Sequence, residues 1–523
     1  MREFYETRFF VDSLQSGIIQ DHRVQVNKPG LLGVLNMKPV PGLGLCAQEE
    51  LSRLFPDQEI TWPFPQIFRG SEETILAFET ALYQINESDW SLTPLIVYDA
   101  YDLETCPAIP AGGSWHFVDH GVSWMLLNGQ CVIHKQRRYG IFGQTDKIIL
   151  YQDVRAETGC SFIGRTLLAG FSPNHFWNNA WQGVWSEWEL WMPGGLSASG
   201  RDLGQNYVLW STIGGDLLWL IYPDFARKGF VSEDDATGYD YQDSNFESKL
   251  FFNMLKRNEL GWMPMPFQDK IIKIAPLGEK GVIVYSPTGV VLMYPDSRVF
   301  PTFGKKQIAT FGPTNRGAIS VGKDDHVFLD KNGRVWRVTA EGIEQVANNR
   351  LYGSFLIDNL ASSYDSLNDE HYISSEDVCI VITKAGVGEV SDRPTSGLVT
   401  SNGFSIISEP RTQLGKVIVF NTMDFNMPGS EKKIENVEIS ANDTRKLFVS
   451  TYYRYKRSEH FRLLPWIQVS DSGSAYLGIV GLEFRLAIKS MSEDLKISSV
   501  SARWKSTDKR IIKGLYAASS ESS

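Results

Sequence analysis

The chain has 523 residues and a formal net charge of −10, from 51 basic and 61 acidic side chains. A protein that binds nucleic acid without regard to sequence needs a basic surface, so this charge disfavours that role for the chain as a whole. Charged residues make up 21% and apolar residues 42% of the sequence, which is close to a globular composition and excludes a largely disordered chain. At about 150 residues per domain, the length predicts about three domains or one large repetitive domain with additions.

The compartment is indicated by the N-terminus and the cysteines. The segment 1–6 is charged and lacks the apolar core of a signal peptide, and no stretch reaches the ~18 apolar residues of a membrane span. The five cysteines are scattered and form no C-x-x-C pair, so neither a disulfide framework nor a zinc site is expected. They are Cys46, Cys106, Cys131, Cys160 and Cys379. We therefore expect a protein made in a reducing cytoplasm, without a membrane role.

Residues 1–110 form an N-terminal mixed segment in which short helices are expected and which contributes to a platform. Two of the three helix candidates, 49–55 and 72–84, lie here, and the third is 246–256. Ser71 is a plausible N-cap for the second candidate, and Glu72 and Glu73 would form an acidic first turn.

Residues 111–400 repeat one pattern, an apolar run, a tight turn with glycine and another apolar run. An Asn-Gly turn between apolar runs, as at Asn128-Gly129, is a strong hairpin signal because it accommodates positive φ. If two of the gaps between successive turn glycines each contain a degenerate copy of the pattern, the repeat length approaches the roughly 40–50 residues of a four-stranded propeller blade. The turn after Asp330 resembles the Asp-box of sialidase-type propellers, although its glycine comes one residue later. The pattern favours a β-propeller-like domain over an array of β-sandwiches. The turn glycines are Gly129, Gly215, Gly289, Gly333 and Gly386.

Residues 401–523 alternate apolar and polar side chains with period two, which is typical of half-buried strands. They predict a separate antiparallel β-domain, a small sandwich or platform, that ends in a mobile tail. The fold class expected for the whole chain is therefore mainly all-β. A β-propeller-like core is followed by a C-terminal antiparallel β-sandwich, with few short helices.

No motif predicts catalysis, a cofactor or a bound metal. The stretch 317–323 fits the G-x-x-x-x-G-K frame of a phosphate loop, but Asp324 stands where a Ser or Thr is needed and a strand follows. His116 and His120 stand four apart on a predicted strand, which separates them too widely for one metal. The acidic stretch 233–243 lacks EF-hand spacing. We expect that the protein is not an enzyme.

Two groups of residues are candidate interfaces. A dense tryptophan cluster could pack in the core, form an interface or bind glycans. Basic residues near the C-terminus could meet an acidic partner or form a solvated strand face. The candidates are Trp177, Trp181, Trp185, Trp188, Arg454, Lys456, Arg457, Arg503, Lys505 and Arg510.

The two ends of the chain resemble a known family. The strand 481–488 follows a G-x-x-F-R-x-x-I pattern, 497–503 follows I-x-x-V-x-A-R, and Asn36-x-x-Pro39 resembles a short N-x-x-P motif near the start. In these features the sequence is similar to the head-to-tail hub, or tail nozzle, proteins of short-tailed bacteriophages. The family would place a propeller-like domain between these ends.

The resemblance implies a mechanical virion protein of the phage tail, assembled in the host cytoplasm. Copies of the chain, expected as a homo-oligomeric hexamer, would form a ring below the portal and adaptor proteins. The ring would close the DNA channel after packaging and conduct DNA during ejection. Viral DNA would pass through the lumen without sequence-specific binding, and tail fibre or needle proteins would be further partners.

Two alternatives remain. A glycan-binding or glycan-cleaving β-propeller would explain the repeats and the tryptophans, but it would need convergent carboxylates or arginines in one cleft. A cellular propeller scaffold would explain the repeats, but it would not explain the C-terminal strands that resemble the phage proteins.

Overall fold

A computed structural model describes fourteen stretches of the chain. They are residues 5–9, 14, 31–99, 105, 108–121, 123–136, 147–152, 155–171, 205–211, 213, 261–296, 302–350, 359–409 and 415–510. β-Strands dominate these residues, in agreement with the predicted fold class. No helix in these stretches has the length and hydrophobicity that a membrane span requires.

Five short strands come first and are distributed over several sheets. They are β1 (Tyr5–Phe9), β2 (Leu31–Leu35), β3 (Met37–Val40), β4 (Gly44–Ala47) and β5 (Ser52–Arg53).

Seven small sheets follow, and their strands pair mainly as antiparallel neighbours. The first sheet has β6 (Gln66–Arg69), β7 (Thr74–Ala77), β8 (Leu82–Asn86) and β9 (Ser91–Pro94). The second has β10 (Val97–Asp99) beside β14, with β11 (His116–Asp119), β12 (Ser123–Leu127), β13 (Val132–Gln136) and β14 (Ile148–Tyr151). The third has β15 (Thr158–Phe162), β16 (Arg165–Ala169), β17 (Tyr207–Trp210) and β18 (Gly261–Pro264). The fourth has β19 (Lys273–Leu277), β20 (Gly281–Ser286), β21 (Gly289–Pro295) and β22 (Phe303–Ala309).

A 3-10 helix at Arg316–Ala318 leads into the fifth sheet. That sheet has β23 (Ile319–Val321), β24 (His326–Leu329), β25 (Arg334–Val338) and β26 (Ile343–Arg350). The sixth has β27 (Ala361–Asp365), β28 (Glu370–Ser374), β29 (Cys379–Ile382) and β30 (Val387–Val390). The seventh has β31 (Pro394–Thr400) and β32 (Gly403–Ser408).

The predicted hairpins are confirmed where the structure describes them. Gly129 and Gly333 adopt φ of 82° and 70° in the turns that join β12 to β13 and β24 to β25. Only glycine enters this region at little cost, so these positions fix both turns. Asp330 reinforces the second turn, because its Oδ1 accepts from the N–H groups of Asn332 and Arg334 and its Oδ2 accepts from the indole of Trp336 at 3.0 Å.

Neighbouring sheets bury apolar side chains against each other around a ring, which is the arrangement of a propeller. Val97 and Leu126 share a core with Ile75 of the first sheet, and Tyr372 of the sixth shares one with Ile406 of the seventh. The seventh sheet packs in turn on the first through Ile407. Strand β5, from the N-terminal segment, joins β32 in parallel and so ties the two ends of the propeller-like unit together.

Eight strands after the seventh sheet build a β-sandwich. They are β33 (Lys416–Phe420), β34 (Ser430–Ala441), β35 (Leu447–Arg454), β36 (Arg462–Leu463), β37 (Ile467–Gln468), β38 (Ser474–Gly481), β39 (Glu483–Ser490) and β40 (Lys496–Arg510). One sheet, the β34 sheet, has the order β3-β4-β40-β34-β38, with β1 also on β40. The other, the β39 sheet, has the order β2-β33-β39-β35-β36 and continues through β30 into the sixth propeller sheet. One core, which includes Ile434, Phe484 and Trp504, fills the space between them.

The helix predictions for the N-terminal segment are wrong. Residues 72–84 form β7 and β8, and 49–55 contain β5. Every residue of Thr74–Ala77 is buried between neighbouring strands, and a continuous apolar run of this length is compatible with either a buried strand or a helix. Burial against neighbouring strands therefore made this segment strand and not helix. The third helix candidate, 246–256, lies outside the described residues.

Candidate functional sites

A central cavity of about 560 Å³ lies where the seven sheets meet. One strand of each sheet contributes to its wall, namely β6, β11, β15, β19, β23, β27 and β31. A cavity of this size is in the range of small-molecule sites. The wall brings together residues that are far apart in the chain. Ile67 and Ser396, for example, are 329 positions apart, and the Ile67 N–H donates to the Ser396 hydroxyl.

Basic side chains stand at one end of this wall, where several of the lining strands begin. Lys273 opens β19 and donates from Nζ to the carbonyl of Ile319 at 2.8 Å. Arg316, which is 8% exposed, donates from Nε to the Ser114 hydroxyl at 3.2 Å. Glu157 lies 3.6 Å from the Arg316 guanidinium, but it also pairs with Lys270 at 2.7 Å.

Electrostatics in the cavity follow from this arrangement. Burial, with a further contribution from the charge of Arg316, lowers the pKa of Lys273 to about 7. Burial and the charges of Lys273 and Arg316 hold the pKa of His116 well below its usual value. His116 lies on β11, where its Nδ1 contacts the Thr158 hydroxyl at 2.5 Å. Since each group disfavours further positive charge on its neighbours, the cavity favours a negative charge within it.

A cluster between the fifth and sixth sheets has the residue types of a metal site. Ligand atoms of Asp325, Asp369 and His371 lie within 4.8 Å of one another. However, both nitrogens of His371 are already engaged, by the Ser320 hydroxyl at 2.9 Å and by Asp325 at 3.1 Å.

The two carboxylates of this cluster also have protein partners. Asp325 pairs with Arg337 at 2.9 Å. Asp369 accepts from the Tyr364 hydroxyl at 2.8 Å and pairs with Lys384 at 2.6 Å. The three side chains of this cluster therefore fit a hydrogen-bonded connection between two sheets better than a set of metal ligands.

The basic residues singled out in the sequence are divided between the two sheets of the sandwich. Arg454 ends β35 of the β39 sheet, and Lys456 and Arg457 follow it. Arg503, Lys505 and Arg510 lie on β40 of the β34 sheet. The tryptophan cluster at 177, 181, 185 and 188 lies outside the described residues.

Several of these basic groups are neutralised within the chain. Arg454 and Arg457 both bind the buried carboxylate of Glu483, each through Nε at 2.8 Å. Lys505 pairs with Glu435 at 2.7 Å. Arg503 is exposed, and the Lys456 side chain is 71% exposed at 3.9 Å from Glu459. The basic side chains that the structure describes therefore do not form one continuous basic surface.

Sequence reasoning missed the cavity residues and the partners of the arginines. Lys273 and Arg316 are single basic residues before apolar strands, a pattern that solvated surface residues share. Lys432 is fully buried and donates to the Leu482 carbonyl at 2.7 Å. No sequence pattern distinguished it from a surface lysine either. Glu483 offered a weak signal, since it opens a strand in which most residues are buried.

The phosphate-loop frame is confirmed as a structural segment. Residues 317–323 pass from the 3-10 helix through β23 to a turn, and no helix follows that could receive a phosphate at its N-terminus. At Gly322, a Cβ atom would come within 2.7 Å of the Asp325 carbonyl, so the glycine is required by a close backbone approach.

No protein-family model and no curated protein matches this sequence. Among solved structures, the chain is similar to PorZ of the type-IX secretion system of Porphyromonas gingivalis, with 8% identity over 71% of this chain and 36% of PorZ and a TM-score of 0.33. It is also similar to the extracellular domain of BT4673 from B. thetaiotaomicron, with 9% identity, coverage of 88% and 60%, and a TM-score of 0.39. For Hsv2 of Kluyvelomyces marxianus the identity is 6%, the coverage 58% and 74%, and the TM-score 0.28. The chain thus spans about a third of PorZ and three fifths of the BT4673 domain.

Proposed function

We propose that this chain is a structural virion protein of a tailed bacteriophage, the subunit of a hexameric tail nozzle or hub. In this proposal the ring lies below the portal and adaptor, closes the DNA channel after packaging and conducts DNA during ejection. The protein would act by assembly and by opening a passage, and its role would not require a catalytic group.

The observation that carries the proposal is the meeting of the two chain ends that resemble this family. The motif Asn36-x-x-Pro39 runs from the end of β2 into β3, whereas the C-terminal resemblance lies in β39 and β40. Strand β2 pairs with β33, which pairs with β39, and β4 pairs with β40. Segments more than 400 residues apart thus form one sandwich, and the propeller-like unit is inserted between them, in the order that the family resemblance implies.

Exposed apolar side chains on the sandwich suit contacts between copies. Tyr476 on β38 is 63% exposed and Leu463 on β36 is 45% exposed. Both are edge strands of their sheets. Strand β38 packs near β35 and β37 on the same side of the sandwich. Terminal strands with exposed apolar groups favour association with another chain.

The DNA passage in this proposal lies between subunits. The cavity inside one propeller-like unit has the volume of a small-molecule site and does not have room for a duplex. A lumen lined by several copies of a chain with net charge −10 would repel phosphate groups and let DNA slide.

The first test is quantification of this chain by mass spectrometry in purified particles of its source, relative to the portal protein. A hexameric ring below a dodecameric portal predicts one copy of this chain for every two portal copies. Absence of the chain from particles would reject the proposal, as would a variable amount that washes away with salt.

The second test addresses the contact surface. The purified full-length chain is expected to form rings, seen by light scattering and electron microscopy, and Tyr476→Glu should shift the population toward monomers. Ile96→Glu is the matched control, because Ile96 is 57% exposed but precedes the second propeller sheet. If both variants lost rings equally, or if neither lost them, the assignment of the β38 side as the contact between copies would be contradicted.

A further inference from the structure

We propose that the central cavity of the propeller-like unit is a binding site for a small oxyanion, a carboxylate or a phosphate, held between Lys273 and Arg316. This site is distinct from the ring contact and does not depend on the proposed tail function.

The first argument is the unbalanced charge of Lys273. Its ammonium group has three N–H donors, and the contact that the structure gives it is the Ile319 carbonyl. Within the described residues no carboxylate lies at salt-bridge distance from Lys273. Lys273 is half-buried in the cavity wall. Lysines with restricted access to water are normally paired with an acid, so a cavity that presents an unpaired one is prepared for an anion from outside the chain.

The second argument is that the carboxylate beside Arg316 is already shared. Glu157 is paired with Lys270 at 2.7 Å and lies 3.6 Å from Arg316. One negative charge therefore serves two cations before Lys273 is counted. Of the described residues that line the cavity, Asp119 is the one carboxylate, and it is at the far end of β11, where it accepts from the backbone N–H of Ser71.

The third argument is an unused hydroxyl in the cavity wall. Ser363 is 8% exposed, and its Oγ has no hydrogen-bond partner in the described structure. A buried hydroxyl without a partner is costly, and an oxyanion in the cavity is the kind of acceptor that would satisfy it.

The titratable groups around Lys273 predict a proton linkage. They are Arg316 before β23, His116 on β11 and His326 on β24, with Glu157 and Lys270 beyond Arg316. Burial lowers the pKa of His326 to about 4, so both histidines are neutral near pH 7. Burial and Arg316 lower the pKa of Lys273 to about 7. An anion beside Lys273 raises that pKa again, so binding between pH 7 and 9 should take up a proton.

The test is isothermal titration of the full-length chain with two probes, inorganic phosphate and acetate, at constant ionic strength. Titration at pH 8 in two buffers of different ionisation enthalpy reports proton uptake. We expect saturable binding of at least one probe at concentrations up to about 10 mM, with uptake of a proton. Lys273→Met should weaken binding by about tenfold or more, since a charge-assisted hydrogen bond contributes about 1.5–3 kcal/mol.

The matched control is Lys331→Met, which removes an exposed lysine from the turn between β24 and β25 and should leave binding unchanged. Saturation by phosphate but not acetate assigns phosphate chemistry to the site, and the reverse assigns carboxylates. The inference is overturned if neither probe saturates at pH 6 or pH 8, or if wild type binds without proton uptake. Equal affinities of Lys273→Met and wild type would overturn it as well.

Discussion

Asn36 accepts two hydrogen bonds from Ser391, one from its backbone N–H and one from its hydroxyl, both at 2.8 Å. Its side-chain amide also donates to the Gly415 carbonyl at 3.0 Å. Ser391 follows the last strand of the sixth sheet and Gly415 precedes β33, so one fully buried asparagine connects the propeller-like unit with the sandwich. Asn36 also has a φ of 55°, a region that asparagine tolerates better than most residues.

Replacing Asn36 tests this junction. Asn36→Ala removes three hydrogen bonds. It also leaves at positive φ a residue whose side chain makes no hydrogen bond to offset the backbone strain. We expect a loss of about 3 kcal/mol in the free energy of unfolding. Asn36→Gly removes the same hydrogen bonds without the backbone strain and should be about 1 kcal/mol more stable than Asn36→Ala. Urea denaturation measures both changes.

The control for this comparison is Asn402→Ala, in the exposed turn between β31 and β32, which should change the free energy by less than about 0.5 kcal/mol. If Asn36→Ala were as stable as Asn402→Ala, the junction would not depend on Asn36.

Glu483 provides a second prediction. It is 1% exposed and binds both Arg454 and Arg457, so Glu483→Gln would leave two guanidinium groups without their shared carboxylate. Breaking a buried ion pair by removing one partner costs about 3–5 kcal/mol, and we expect a loss near the lower end because Arg457 is largely exposed.

Glu344→Gln is the matched control for Glu483. The Glu344 side chain is 68% exposed and lies 3.8 Å from Arg337, so its removal should cost about 0–1 kcal/mol. Thermal and urea unfolding of both variants checks the difference, and equal stabilities would show that the pairs of Glu483 add nothing to the sandwich.

Lys432 predicts a pH dependence of stability. Burial, aided by the charge of Arg457, lowers the pKa of Lys432 to about 8, although Asp424 and Glu483 oppose the shift. An unfolded lysine titrates near 10.4, so between about pH 8 and 10 the unfolded chain binds more protons than the folded chain. The contribution of Lys432 to the free energy of unfolding therefore increases as the pH rises through this window.

The difference between wild type and Lys432→Met isolates this contribution from those of other groups. We expect wild type to gain stability relative to the variant from pH 8 to pH 10, measured by urea denaturation at fixed ionic strength. A difference that is constant or falls over this range would show that the folded lysine keeps its proton.

The cysteines predict protection of thiols. Cys46, Cys131, Cys160 and Cys379 are buried and free, and burial raises the pKa of the Cys160 and Cys379 thiols. Since the thiolate is the reactive form, these four should react with an aromatic disulfide reagent only after unfolding. The variant Cys106→Ser removes the cysteine outside the described residues, so its native form should show no fast-reacting thiol. A thiol that reacts at the rate of the denatured protein would contradict the buried placement.

Local chemistry explains which elements were predictable. The hairpins at Gly129 and Gly333 depend on a glycine with positive φ between apolar runs, and the sequence displays both features directly. The segment 72–84 was mispredicted because an acidic N-cap pattern and the apolar run at 75–77 are shared by helices and buried strands. Its strands form because neighbouring sheets bury Ile75 and Leu76 completely.

The sequence by itself determined a β-rich chain with tight hairpins and a distinct C-terminal β-domain, because turn glycines and period-two alternation act over a few residues. Only the tertiary structure decided that β5 joins β32, that Asn36 lies between Ser391 and Gly415, and that Lys273 and Arg316 meet in one cavity. The residues of each of these sites belong to different sheets, and their distances depend on how those sheets pack around a common axis. No local pattern encodes that packing.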